Sequence, residues 1–122
     1  MNVAVLGASP KTERYSNKAI KLLVDKGHTV FPINPIHESI ENLKTVKKPS
    51  DLKKMGIHTL TVYVGPNNIS PLIDDIIDLN PHRIILNPGT ESEELKQALN
   101  KANINYLEAC TLVMLKTNQF ED

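Results

Sequence analysis

The chain's most informative chemistry is compressed into its first sixteen residues. The apolar run Val3-Ala4-Val5-Leu6 breaks at Gly7 into Ala8-Ser9-Pro10-Lys11, and Arg14 and Ser16 follow at the start of an amphipathic stretch. A glycine ahead of a helix lets backbone approach a ligand closely. The helix N-terminus adds unpaired N–H groups and a partial positive charge. Lys11 and Arg14 can neutralise a pyrophosphate or a ribose phosphate. This combination holds phosphate; it does not by itself make or break a bond, so a small nucleotide ligand is expected before any reaction.

Other reactive side chains are present, but without a catalytic pattern. His28, His37, His58 and His82 lack metal-ligand spacing to one another or to Cys110. His28, His58 and His82 each precede an apolar run and are expected at the surface, on the rim opposite the loop. His37 follows Asn34-Pro35 and could face a ligand. Cys110 is expected in the core, ahead of Leu112-Val113-Met114-Leu115, with a nucleophilic role as the alternative. Asp74, Asp75 and Asp78 are read as the solvated face of a helix. No metal site and no catalytic residue is assigned.

The positioning elements follow from hydrophobic periodicity. Strands are expected over 3–6, 29–33, 59–64, 83–86 and 104–107, each short and apolar, the first four closed by Gly, Pro or Asn. Helical spacing carries Ile20, Leu23 and Val24, with Ser16 as N-cap and Gly27 just past the end. Ser50 is expected to cap a short helix, and Ser70-Pro71 to start another. Thr90-Glu91-Ser92-Glu93 reads as a capping box, and 109–115 as a last helix. Residues 36–48 carry no regular pattern. Alternation of strand and helix through five cycles predicts a doubly wound α/β fold. Its parallel five-stranded sheet has the order 3-2-1-4-5, with helices on both faces. Ligands in such sheets bind beyond the carboxyl ends of the strands, where the order reverses. That places the crevice between strands one and four, with residues 7–10 and Asn87-Pro88-Gly89 at its mouth. Asn34-Pro35 and Val64-Gly65-Pro66 lie on the same rim.

Composition bounds the partners. A length of 122 residues suits one domain over 1–122, with no internal repeats or linkers. Fourteen basic and fourteen acidic side chains cancel, so no overall field recruits nucleic acid or a membrane surface. With three Tyr, two Phe and no Trp, few platforms exist for stacking bases. One cysteine suits a reducing cytoplasm, and no signal peptide or membrane span is expected. An open sheet with an apolar last helix leaves a homodimer or a protein partner open. A dinucleotide fingerprint would need two further glycines and an acidic residue after strand two. Asn34 stands there instead, which disfavours an NAD(P)-dependent oxidoreductase.

Gly7-Ala8-Ser9-Pro10-Lys11, Glu13-Arg14-Tyr15-Ser16, Ile33-Asn34-Pro35 and Val62-Tyr63-Val64 together resemble the small stand-alone CoA-binding domain proteins. These are similar in turn to the nucleotide-binding domain of the succinyl-CoA synthetase α subunit. The resemblance spans essentially the whole chain. It implies a Rossmann-like sheet binding coenzyme A, free or acylated, with the pyrophosphate on Gly7, Ala8, Ser9 and Pro10. Arg14 and Ser16 match post-loop positions as phosphate contacts. Asn34 and Pro35 would border the adenosine half, and Val64, Gly65 and Pro66 the adenine or the start of the pantetheine arm. After strand four these proteins commonly carry a tryptophan and a glutamine before a glycine, and Leu86-Asn87-Pro88-Gly89 keeps the glycine alone. Near the C-terminus, Glu108-Ala109-Cys110 keeps the acid and the thiol but not a basic neighbour. The synthetases' phosphorylated histidine belongs to a separate domain, so ligase chemistry is not expected. The resemblance thus implies a non-enzymatic sensor, carrier or regulatory module, with an NAD(P)-binding oxidoreductase or a Cys110-dependent thiol or thioester enzyme as the alternatives.

Overall fold

A computed structural model describes residues 1–121. Its centre is a parallel sheet of β1 (Asn2–Leu6), β2 (Thr29–Ile33), β5 (Thr59–Val62), β6 (Arg83–Leu86) and β7 (Asn105–Glu108). A two-stranded hairpin, β3 (Ser39–Ile40) and β4 (Leu43–Lys44), stands apart from it. Helices α1 (Tyr15–Asp25), α2 (Ile73–Leu79), α3 (Glu93–Lys101) and α4 (Thr111–Lys116) cover the sheet.

The five strands and the two-sided cover are as expected, and the sheet is the parallel α/β sheet of Rossmann-like folds. The strand order is different. It runs β2-β1-β5-β6-β7, which is 2-1-3-4-5 in the order of the sheet strands, so the third strand, β5, pairs with β1 and not with the far side of β2. The cause is the face on which each connection crosses. Ile20 and Leu23 of α1 pack with Val3, Val5 and Ile85 on one face, joined by Leu115 and Phe120. Leu52, from the connection between β2 and β5, packs on the other face with Leu60, Val62, Ile76 and Leu95. Right-handed crossovers on opposite faces travel in opposite directions. Hence β1-α1-β2 steps one way, and every later connection steps the other. The reversal falls between β1 and β5, not between the first and fourth strands.

Local ends also differ from the sequence expectation. The cap of α1 is Arg14, in extended conformation, with Ser16 inside the first turn. Residues 49–52 and 70–72 are single 3-10 turns preceded by Lys48 and Ile69, so neither Ser50 nor Ser70 caps a helix. Ser92 caps α3 by accepting from Leu95 N at 3.2 Å, while Thr90 donates to Asn87 O at 2.7 Å. The unpatterned 36–48 stretch is the hairpin, turned by Glu41 and Asn42, both at positive φ. Asp75 and Asp78 bind Ser50 and Lys53 at 3.1 and 2.7 Å, fastening the first 3-10 turn to α2 rather than only facing solvent.

His28, expected at the surface, is buried against Phe120 with ring centroids 5.2 Å apart. Burial lowers its pKa. Arg83 lies in the same layer. Its Nε donates to Thr59 Oγ1 at 2.8 Å, its Nη2 to Phe120 O at 2.7 Å, and its guanidinium sits over the Phe120 ring.

Candidate functional site

The carboxyl ends of β1, β2, β5 and β6 open into a groove of about 570 Å³. Its floor is the 7–10 loop. Gly7 has φ +83, and a side chain there would meet Tyr63 backbone carbon and Val64 Cγ2 at 3.0 Å. Tyr63 N donates to Leu6 O at 2.9 Å, extending the β1–β5 pairing past the strand ends. Glycine is therefore required by the close approach of the neighbouring chain, in a backbone conformation that other residues reach at a cost.

Two asparagines hold the loop. Asn34, at the end of β2, donates from Nδ2 to Ala8 O at 2.9 Å, and its Oδ1 accepts from Ile36 and His37 N at 2.8 Å each. Such an Asx turn lets a side chain complete the backbone's own hydrogen bonds. Asn34 thus lines the groove as a brace, with its amide already committed. Asn17, fully buried in the first turn of α1, donates to Ser9 O at 2.9 Å and to Glu41 Oε2 at 3.0 Å. One side chain thereby ties together the loop, the helix and the hairpin turn. Its Oδ1 has no partner.

The helix start is open. Arg14 makes no side-chain capping bond, and neither Asp nor Glu occupies the first turn. The groove lining carries Lys11, Arg14 and His37 and no carboxylate. A helix N-terminus with two cations and no acid beside it is suited to an anion. The exposed apolar side chains of Tyr15 and Ile36 stand on the same lining.

Most residues singled out from the sequence are brought together here. Gly7, Ala8, Ser9, Pro10, Lys11, Arg14, Ser16, Asn34, Gly65, Pro88 and Gly89 all line the groove. Pro35 lines an adjoining basin instead. Val64 and Pro66 border Gly65 without lining either space. Asn87 is turned inward and 3% exposed. Its Nδ2 donates to Thr61 Oγ1 and Val62 O at 2.7 and 2.8 Å, and its Oδ1 accepts from Thr111 N at 2.9 Å. Its hydrogen-bonding capacity is spent on joining β5, β6 and α4, because the reordered sheet puts β6 one strand away from the crevice.

Sequence reasoning misses the site positions of Ile36, Thr90 and Asn17. Asn17 had a signal: it stands three residues before Ile20 on the buried stripe of α1, a polar residue in an inward position. Tyr63 lines the groove and packs against the core on the α1 face of the sheet. Its hydroxyl is buried and has no hydrogen-bond partner, while the neighbouring Thr61 and Thr111 hydroxyls bond each other at 2.8 Å. Burial pushes its pKa up to about 12. Cys110 is half-buried ahead of α4 and is absent from the groove lining. Among the described residues no group of three or more His, Cys, Asp or Glu could hold a metal ion, and no helix is long and apolar enough to cross a membrane.

Residues 1–116 match the CoA binding domain family, and the chain belongs to it. No curated protein matches the sequence. Among solved structures, one of an uncharacterised protein superposes with TM-score 0.87 at 33% identity, covering 98% of this chain and 97% of that one. A protein from Thermus thermophilus gives TM-score 0.87 at 25% identity, covering 98% and 90%. The dinucleotide-forming acetyl-coenzyme A synthetase 1 of Ca. Korarchaeum cryptofilum, in complex with phosphate and ADP, gives TM-score 0.77 at 21% identity. That match covers 88% of this chain and 25% of the synthetase, and it shows a shared fold.

Proposed function

We propose that this member of the CoA binding domain family binds coenzyme A in the groove above β1 and β5, as a cytoplasmic sensor, carrier or regulatory module. The observation that carries the reading is the groove lining: an uncapped helix start, two cations and no carboxylate around a loop braced by Asn17 and Asn34. Lys11, Arg14 and the first-turn N–H groups of α1 would hold the diphosphate. Tyr15 and Ile36 offer apolar surface to the adenosine half, and Tyr63, Gly65 and Pro88 to the pantetheine arm. Coenzyme A supplies a thiol when bound; the chain's part is to bind and orient it.

The lining favours binding over catalysis. His37 is its one imidazole, and no acid or thiol stands there to pair with it. The NAD reading gains nothing at the end of β2, where Asn34 spends its amide on the loop and no carboxylate grips a ribose.

A thermal-shift titration tests the reading. A ligand at a hundredfold its Kd stabilises by about 2.7 kcal/mol, a rise of roughly 10 °C for a domain of this size. That rise is expected with coenzyme A or acetyl-CoA and not with NAD. A shift with NAD or NADP alone would refute the proposal.

A further inference from the structure

The phosphate groove does not end at β2. It shares Asn34, Ile36 and His37 with a second basin of about 640 Å³, closed on its far side by the β3–β4 hairpin. The hairpin is fixed, not a loose flap. Val46 bridges Ile33, with Asn34 N donating to Val46 O at 2.9 Å and Val46 N to Pro32 O at 3.1 Å. Thr45 donates its hydroxyl to His37 O and its N–H to Glu38 O. Glu41 in the turn is held by Asn17 and faces Lys21.

This scaffold carries Lys44 and Lys47 into the basin lining, and neither has an ion pair among the described residues. The other lysines near acids, Lys21, Lys53 and Lys96, are each within 4 Å of a carboxylate. Glu38 is the basin's one carboxylate, against the two lysines and His37. The excess of positive charge therefore sits beside β2, one strand further out than the loop cations Lys11 and Arg14. Adjacent strands stand roughly 4.8 Å apart. A ligand whose diphosphate lies on the 7–10 loop extends one to two such spacings before reaching the hairpin.

We infer that the hairpin basin is a second anion subsite, in which Lys44 and Lys47 take a phosphomonoester carried on the ribose of the nucleotide bound in the groove. The inference rests on the coenzyme A reading, in which that group is the ribose 3′-phosphate. A phosphomonoester is close to dianionic at neutral pH, and two ammonium groups on a pinned hairpin answer it as point charges. The hairpin is then the element that discriminates coenzyme A from dephospho-CoA, and Arg14 stays with the diphosphate.

Calorimetric titration of the wild-type chain and of a Lys44→Ala/Lys47→Ala variant, each with coenzyme A, dephospho-CoA and NADP, tests this. Both lysines are exposed, so circular dichroism melting of the variant is expected to match wild type. Wild type should prefer coenzyme A over dephospho-CoA by about tenfold, the scale of two exposed charge contacts. The variant should lose the preference, with dephospho-CoA affinity unchanged. The preference should also shrink as salt is raised. A preference that survives in the variant overturns the lysine assignment, and equal binding of both ligands by wild type overturns the subsite. Lysine-dependent binding of NADP without coenzyme A would move the phosphate to the 2′ position and overturn the 3′ assignment. If neither coenzyme A nor dephospho-CoA binds wild type, the coenzyme A reading itself fails, and this inference with it.

Discussion

Replacing Gly7 by alanine separates what the fold demands of the loop from what a ligand demands. The new Cβ would lie 3.0 Å from Tyr63 backbone carbon and 3.1 Å from its carbonyl oxygen, atoms that cannot swing aside as a side-chain tip can. Overpacking against fixed neighbours costs about 1–3 kcal/mol. Holding an L-residue at φ +83 costs about 1–2 kcal/mol more. The stiffer unfolded chain returns about 0.4–1 kcal/mol. The net loss is about 1–4.6 kcal/mol. With an unfolding entropy of about 2.1 cal/mol/K per residue, the melting temperature should fall by roughly 4–18 °C.

Gly89→Ala is the control. Its φ is +88, yet nothing lies within 4 Å of the position a Cβ would take. It carries the conformational cost without the contact, so its melting temperature should fall by only about 0–6 °C. Thermal melts of the two variants, followed by circular dichroism, give the difference directly. Equal losses would refute the argument that β1 and the chain after β5 meet across Gly7. Gly7 is therefore a poor probe of the ligand: a bulkier residue there damages the Tyr63–Val64 contact before it reaches any phosphate.

Gly65 is the better probe, since it lines the groove with ordinary φ and open space around its Cβ position; Gly65→Leu should melt within about 3 °C of wild type and lose at least about tenfold in coenzyme A affinity by calorimetry. Asn34→Ala removes the bond to Ala8 O and the two from Ile36 and His37 N, and at about 0.5–1.5 kcal/mol each it should lower stability in urea by about 1.5–4.5 kcal/mol. Tyr63→Phe should leave stability at pH 7 unchanged or slightly raised, because the hydroxyl is buried without a partner. The Tyr63 pKa is about 12 when folded against 10.0 when free, so the native state keeps its proton more tightly. Its stabilisation is full below pH 10 and is lost as pH rises toward 12, on the order of 2 kcal/mol. The Phe variant should show a correspondingly shallower alkaline decline in urea melts.

The loop was legible because its chemistry is local. A strand ending in glycine, a short polar turn and a helix start form one contiguous segment, and the elements on either side place it without help from the rest of the chain. The same holds for Asn34-Pro35 and for Gly65, each at the end of its own strand. Asn87 shows where this logic stops. It ends a strand on the correct rim, yet its side chain turns into the core, where Thr61 and Thr111 offer partners from 26 and 24 residues away. Whether a rim asparagine faces ligand or core depends on which strand stands beside it, and that is a property of sheet order.

Sheet order was not legible, and the missing information can be located. Handedness restricts each crossover to one direction once its face is known, but no local pattern states the face. For β1-α1-β2 the choice is arbitrary; what matters is whether the next connection uses the same face. Residues between β2 and β5 form a hairpin and one 3-10 turn in place of a full helix. A helix there could have lain beside α1 and continued the sheet outward from β2. The short turn instead buries Leu52 and Ile57 with α2 and α3, on the face α1 leaves empty, so the chain crosses β1 and pairs on its other side. The whole connection between β2 and β5 thus does two jobs at once: its 3-10 turn and Leu52 turn the sheet's order around at β1, which puts the crevice over Gly7 and Tyr63, and its hairpin leaves Lys44 and Lys47 standing beside that crevice.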